Sequence, residues 1–347
     1  MLRMADMAND YILSVLDQSP IAQGHSAADA LANTLDLAQL CDDLGYHRYW
    51  LAEHHASPGL AGVAPEALIG PVALATRRMR IGSGGIMLPH YSPFKVTETF
   101  RMLSALAPGR IDLGLGRAPG SDGRTAFALQ RDRSRQMPVD DFPNNLAEIM
   151  AYLGDGLPQD HPFAALRDTL PSGHGGSPDL WLLGSSSDSA IWAAEAGLPY
   201  CIADFINSDA VPLADLYRQR FKASRWLDNP YVMVATWTIA AESRDLAQQH
   251  ALPAVMMFAH LVRGELIAVP SVEAAIAWAN EHGLPERRRR TNVGSPSDVR
   301  ASLDNVAAIY AADELMLVNI MPDHHARRAS YQLVAQEYGL AQKAMAA

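Results

Sequence analysis

The chain has 347 residues, of which 49% are hydrophobic, and 28 Lys+Arg against 38 Asp+Glu give a formal net charge of −10. That apolar content indicates a folded chain with a sizeable core rather than a disordered one, and the acidic balance argues against a nucleic-acid binder, which needs a basic face. No apolar run approaches the roughly 20 residues of a membrane-spanning helix, and the two cysteines, Cys41 and Cys201, form no CxxC pair and read as reduced core thiols.

Met1–Asp10 carries one Arg, two Asp and no apolar stretch. It reads as a frayed tail rather than a signal peptide, so cytoplasmic residence is expected, and residues 11–347 read as one domain. Tyr11–Leu16 is an apolar, β-rich run, followed by a helical pattern over Ala27–Leu44 between an N-capping Ser26 and a terminating Gly45. Further strands are expected at Tyr49–Ala52, Arg80–Leu88, Ile111–Leu115, Leu180–Leu183, Tyr200–Ala203, Tyr231–Ala240 and Leu315–Ile320. Helical patterns cover Pro65–Arg77, Pro93–Leu106, Phe142–Leu153, Asp188–Ala196, Ala210–Arg225, Ser243–Phe258, Pro296–Ala311 and His324–Ala341.

Eight short strands alternating with amphipathic helices predict an α/β fold, a TIM-type (β/α)8 barrel. Such a barrel needs about 250 residues, so about 100 remain for insertions. The long intervals follow the fourth and seventh strands, which puts both insertions over the C-terminal face. One runs from about Ala118 to Asp179 and includes the charged stretch Arg131–Arg135. The other runs from about Ala259 to Asp313 and includes Arg287–Arg290, read as a solvated lid segment rather than a phosphate patch.

In a barrel of this kind chemistry belongs at the C-terminal strand ends. The second strand ends in Glu53-His54-His55, and neutral imidazole is the side chain best suited to moving a proton near pH 7. Adjacent histidines point to opposite sides of an extended chain, so the pair makes a poor metal chelate, and no metal is expected. Gly84 and Gly85 interrupt the third strand, as either a bulge or a place where something flat approaches the backbone. Arg117 follows the fourth strand as a fixed cation suited to a phosphate. The fifth strand runs into Ser185, Ser186, Ser187, Asp188 and Ser189 at a helix start, which is either a simple N-cap by Ser187 or Asp188 or an anion site.

The stretches YILSVLDQSP, YWLAEHHA, IGSGGIMLPHYSP, GRIDLGLGRAPGSD, LLGSSSDSAIWAAEAGLPY and GSPSDV, in this order over Tyr11 to about Ile320, resemble the bacterial luciferase-like flavin-dependent monooxygenases, and most of all their short single-component subgroup. The resemblance implies a TIM barrel holding FMN at its C-terminal face. It implies His54 as catalytic acid/base with Glu53 and His55 beside it, and Gly84 and Gly85 against the flavin ring, often through a non-proline cis peptide. Arg117, Ser185, Ser186 and Ser189 would meet the flavin phosphate. Two positions depart from the pattern. Gly116 stands where the luciferase α-chain has a reactive cysteine, and Asp204-Phe205 stands where close relatives often have a histidine.

The expected activity is oxidation of a small organic substrate by O2 and reduced FMN through a peroxyflavin, with the reduced flavin coming from a separate NAD(P)H:flavin reductase. A deazaflavin (F420)-dependent hydride transferase and a non-catalytic flavin-binding protein are the alternatives. The apolar second and third helices, Pro65–Ala75 and Val96–Leu106, either form the face of a homodimer, as in relatives, or simply pack on the barrel.

Overall fold

In the computed structural model, residues 11–117, 122–130, 133–134, 141–172, 176–285 and 290–340 are described. Each strand pairs in parallel with its neighbours. β1 (Ile12–Asp17), β2 (Arg48–Leu51), β3 (Arg80–Met87), β4 (Ile111–Gly116), β5 (Asp179–Gly184), β6 (Tyr200–Ala203) and β7 (Val232–Ala240) follow one another around a barrel. β9 (Glu314–Val318) closes it by pairing with both β7 and β1. The extra strand β8 (Thr291–Gly294) pairs with the upper half of β7. Sequence reading missed it because TNVG is short and has a single aliphatic side chain.

The strands form because both of their faces are buried, which favours continuous apolar runs over alternation. Leu16, Trp50, Trp181, Met233, Ala235, Met316 and Val318 fill the interior. Their chain neighbours Val15, Tyr49, Leu51, Leu182, Val234, Leu315 and Leu317 pack outward against the helices. Trp50 and Trp181 meet edge to face at 5.2 Å in the interior, close to the best geometry for an aromatic pair. Cys41 lies in the outer layer and Cys201 in the inner, both free thiols.

The helices around the barrel are α1 (Ala27–Leu44), α2 (Pro65–Ala75), α3 (Pro93–Leu106), α4 (Gly123–Leu129), α5 (Phe142–Leu153), α6 (Ser187–Ala196), α7 (Val211–Arg220), α8 (Arg244–Val262), α9 (Val272–His282), α10 (Pro296–Tyr310) and α11 (His324–Tyr338). α1 has the expected ends, a Ser26–Asp29 capping box and Gly45 at φ 90°. α4 and α9 are short helices inside the two insertions, and α8 runs one turn further than expected. No described helix is long and apolar enough to cross a membrane.

The strand starts carry a buried charge network that sequence reading did not single out. Arg48 donates to Glu314 at 3.1 Å and to Asp112 at 2.8 Å. Asp112 also accepts from Trp50 at 2.9 Å and from Arg80 at 2.8 Å, and Glu314 from Tyr231 at 2.9 Å. Five strands or strand starts are thereby joined through two carboxylates that are fully buried. Removing one member of such a network leaves uncompensated buried charge. Arg48→Met is therefore expected to cost about 3–5 kcal/mol in urea denaturation. A midpoint equal to wild type would show that the network contributes nothing net.

Candidate functional site

The ends of β2, β3, β4 and β5 form a continuous arc. Leu51 stands opposite Ser83, Met87 opposite Gly116, and Leu115 opposite Leu182. Residues 53–55, 84–87, 117 and 185–189 therefore follow one another around one side of the mouth, as a barrel reading of the sequence requires.

Glu53 is fully buried at the end of β2. Its carboxylate accepts from the Met87 N–H at 3.0 Å, pairs with His55 Nε2 at 2.8 Å and hydrogen-bonds Tyr91. With these partners it fastens the top of β2 to the top of β3 and holds the His55 ring. That ring also meets His90 edge-on at 5.9 Å.

His54 is the different member of the triplet. Burial, and then the neighbouring His55, push its pKa down to about 4, so the imidazole is neutral at physiological pH. Its Nδ1 is buried without a hydrogen-bond partner among the described residues. A neutral ring carries one N–H and one lone pair, so this nitrogen keeps an unused capacity for one hydrogen bond. Its backbone N–H is fixed on the Gly62 carbonyl at 2.8 Å, which sets where the side chain starts.

Gly84 and Gly85 are joined by a cis peptide, and the β3–β4 register shifts between Gly84 and Ile86. The register shift is the bulge that the sequence offered as one alternative. Side chains are excluded here by the protein's own atoms: a Cβ on Gly84 would lie 2.6 Å from Leu16 Cδ1, and one on Gly85 would lie 2.8 Å from the Gly114 carbonyl oxygen.

Arg117 leaves β4 and turns to the start of α6. It donates to Asp188 at 3.1 Å and lies 5.1 Å over the Trp192 ring. Ser186, one residue before the expected caps, is the N-cap of α6 in a capping box with Ser189. The Ser189 hydroxyl also lies 2.9 Å from the Tyr200 hydroxyl, and the Ser185 carbonyl accepts from Asn207 at 3.4 Å. A Cβ on Gly184 would fall 2.2 Å from Ser189 Oγ, so the strand end must be glycine for the helix to sit so close. Ser189 is thus committed to local structure. What the turn offers an anion is the first-turn N–H groups of α6 and the Arg117 guanidinium, shared with Asp188.

Three neighbours of the triplet went unassigned from sequence. His90 and Tyr91 were visible in LPHYSP but carried no spacing signal. Glu66, in the first turn of α2, has a carboxyl raised by burial and by the nearby Glu53, and its Oε2 is buried without a described partner.

Asp204 and Arg290 correct the reading of the second insertion. Asp204 is fully buried and binds Tyr310 at 2.8 Å, Thr236 at 3.1 Å and Arg290 at 3.2 Å. Arg290 is therefore a structural cation rather than part of a solvated run, while Arg287, Arg288 and Arg289 lie outside the described residues. Arg131, Asp132 and Arg135 likewise lie outside them. Among the described residues no group of three His, Cys, Asp or Glu side chains could hold a metal ion.

Known proteins give this arrangement a context. The family described as luciferase-like monooxygenase matches residues 12–313. A luciferase-like monooxygenase of Escherichia coli is 40% identical over 92% of this chain and 95% of its own. An N-acetyl-S-alkylcysteine monooxygenase of Bacillus subtilis is 36% identical over 93% and 97%. The crystal structure of apo-MsnO8 superposes with a TM-score of 0.86 at 36% identity, covering 95% of this chain and 98% of that one. A more distant likeness, of fold alone, is the oxygenating constituent of 3,6-diketocamphane monooxygenase of Pseudomonas putida, solved in complex with FMN, with TM-score 0.71, 17% identity and coverage of 94% and 97%. With the family matched over residues 12–313 and relatives well above 30% identity along nearly the whole chain, this chain belongs to the luciferase-like monooxygenases.

Proposed function

We propose that this protein is an FMN-dependent monooxygenase that uses O2 and reduced flavin to oxidise a small organic substrate. The observation that carries the reading is His54, a buried imidazole held neutral, with an unpaired Nδ1, on the same arc of strand ends as an Arg117-flanked helix start. The residues fit FMN: a cation and α6 N–H groups for a phosphate, a glycine pair at β3, and an orphaned imidazole nitrogen just past the end of β2. Bound reduced FMN would supply the two electrons with which one oxygen atom enters the substrate and the other leaves as water.

The chain's own residues divide that work. Arg117 and the start of α6 anchor the phosphate, with Ser185 and Ser186 shaping the turn. His54 holds or moves a proton at Nδ1, while Glu53 and His55 position it by fixing the β2 end. The insertions keep water from the mouth. Reduced flavin is supplied by a separate NAD(P)H:flavin reductase, and the N-acetyl-S-alkylcysteine monooxygenase relative makes thioethers the first substrates to try.

Arg117→Met is expected to weaken FMN binding about tenfold or more, read by fluorescence quenching, since each tenfold is about 1.4 kcal/mol and a charge-assisted phosphate contact supplies at least that. Tight binding of F420, with no response to FMN, would replace this reading by a deazaflavin one.

The His54 pKa makes a second expectation with a defined sign. An unfolded histidine binds its proton near 6.5 and native His54 only near 4, so the unfolded state binds more protons between these values. Native stability must then fall as pH drops from about 6.5 to about 4. His54→Ala is expected to flatten that slope in thermal unfolding while abolishing substrate oxidation. An unchanged slope and an unchanged product yield would remove His54 from the role.

We also propose a homodimer through α2 and α3, because Leu74, Met102 and Leu106 on these helices are 70%, 57% and 51% exposed. Leu74→Glu with Met102→Glu is expected to convert a dimer to a monomer in size-exclusion chromatography. Identical elution of wild type and variant would place any interface elsewhere.

A further inference from the structure

On the other side of the mouth from the β2–β5 arc, the barrel interior ends in aromatic rings. Phe205 follows the end of β6, with its N–H on the Ala235 carbonyl at 3.0 Å and its own carbonyl accepting from the Trp237 indole at 3.2 Å. Trp237 stands opposite Val318, where β9 stops, so it lies at the level of the strand ends. In the closed ring of strands β7 lies across from β3, the strand of the glycine pair. The Phe205 and Trp237 rings meet edge to face at 5.8 Å, and Phe258 of α8 meets Trp237 at 5.2 Å. Backbone ties and ring contacts thus hold three aromatic side chains in a fixed arrangement.

α8 brings Ala254, Met257 and Phe258 to the interior on one face, at spacing i, i+3 and i+4. Met257 reaches the loop beyond the His54 segment, since its Cε lies 3.0 Å from where a Cβ on Gly59 would fall. The same interior cluster contains Leu16, whose Cδ1 lies against Gly84. Apolar surface is therefore continuous from the glycine pair of β3 to the rings beside β7. Deep in the barrel this cluster is buried, whereas Leu183, Phe205, Met257 and Phe258 at its upper rim are only partly so.

The wall itself is uncharged. Asp204, next to Phe205, is turned outward and spends its carboxylate on Tyr310, Thr236 and Arg290. Where relatives often have a histidine, the inner surface here is a phenyl ring. Ring faces, ring edges and a thioether take an apolar group well, and an aromatic one best, whereas a polar group would lose its hydration there without replacement.

We propose, resting on the FMN reading of the opposite side, that Phe205, Trp237 and Phe258 form the substrate subsite that takes an aromatic substituent carried on a thioether. The rings hold that substituent across the barrel from Gly84 and Gly85. They decide which substrate is accepted, and the β2–β5 arc carries the chemistry.

The test is a ligand-detected NMR titration with benzyl methyl sulfide and, separately, dimethyl sulfide, with and without FMN. Wild type, Phe258→Ala and Phe205→Leu are compared. Both rings are partly exposed, so neither change empties the buried core. Wild type is expected to bind the benzyl compound about tenfold or more tighter than dimethyl sulfide. Phe258→Ala is expected to remove most of that preference and Phe205→Leu part of it, while both variants bind FMN as wild type does. A merely structural role would instead weaken FMN and both sulfides together, and that result would overturn the subsite. A preference unchanged in both variants, or no binding of the benzyl compound to FMN-loaded wild type, would overturn it too. A ring-dependent preference in a protein that fails to bind FMN would support the subsite and overturn the FMN reading alone.

Discussion

The candidate site depends on one buried carboxylate. Glu53 sits at the point where β2 stops, and its oxygens are shared between a backbone N–H of β3, the ring of His55 and the phenol of Tyr91. A buried carboxyl group must be matched by hydrogen bonds, and here the matching partners come from the adjoining strand and the turn beyond it. Glu53 therefore fixes the separation of two strand ends, and His54 is placed by the chain that leaves them. A site held this way is rigid at the backbone, which a proton-handling group needs if its geometry is to persist through a reaction.

The two ends of the barrel use charge differently. At the strand starts Arg48, Asp112, Arg80 and Glu314 satisfy one another in a closed network, with Trp50 and Tyr231 completing it. At the strand ends polar atoms remain unmet, including His54 Nδ1 and Glu66 Oε2. Satisfied polar groups stabilise, whereas unsatisfied ones are available for binding, and this asymmetry is the physical content of the rule that barrel chemistry sits at the C-terminal face.

The eight strands were legible because burial on both sides of a parallel sheet leaves continuous apolar runs such as LWLL and YVMVATWTIA. The long first helix was legible from its caps, Ser26 and Gly45. β8 was not, since four residues with a single aliphatic side chain take their conformation from the upper half of β7. Arg290 was misjudged for a related reason. A run of arginines looks solvated by composition, and only the fold brings the fully buried Asp204 within 3.2 Å of one member.

By itself the sequence determined the barrel, the places where insertions enter and the residue types at the strand ends, because periodicity, caps and glycines act over a few neighbouring positions. Only the tertiary structure decided what those residues do to one another. It commits Ser189 to a capping box and to Tyr200, turns Arg117 to Asp188 and Trp192, and leaves one nitrogen of His54 unmet. Partnership and desolvation are set by atoms far apart in the chain, so no local pattern can encode them.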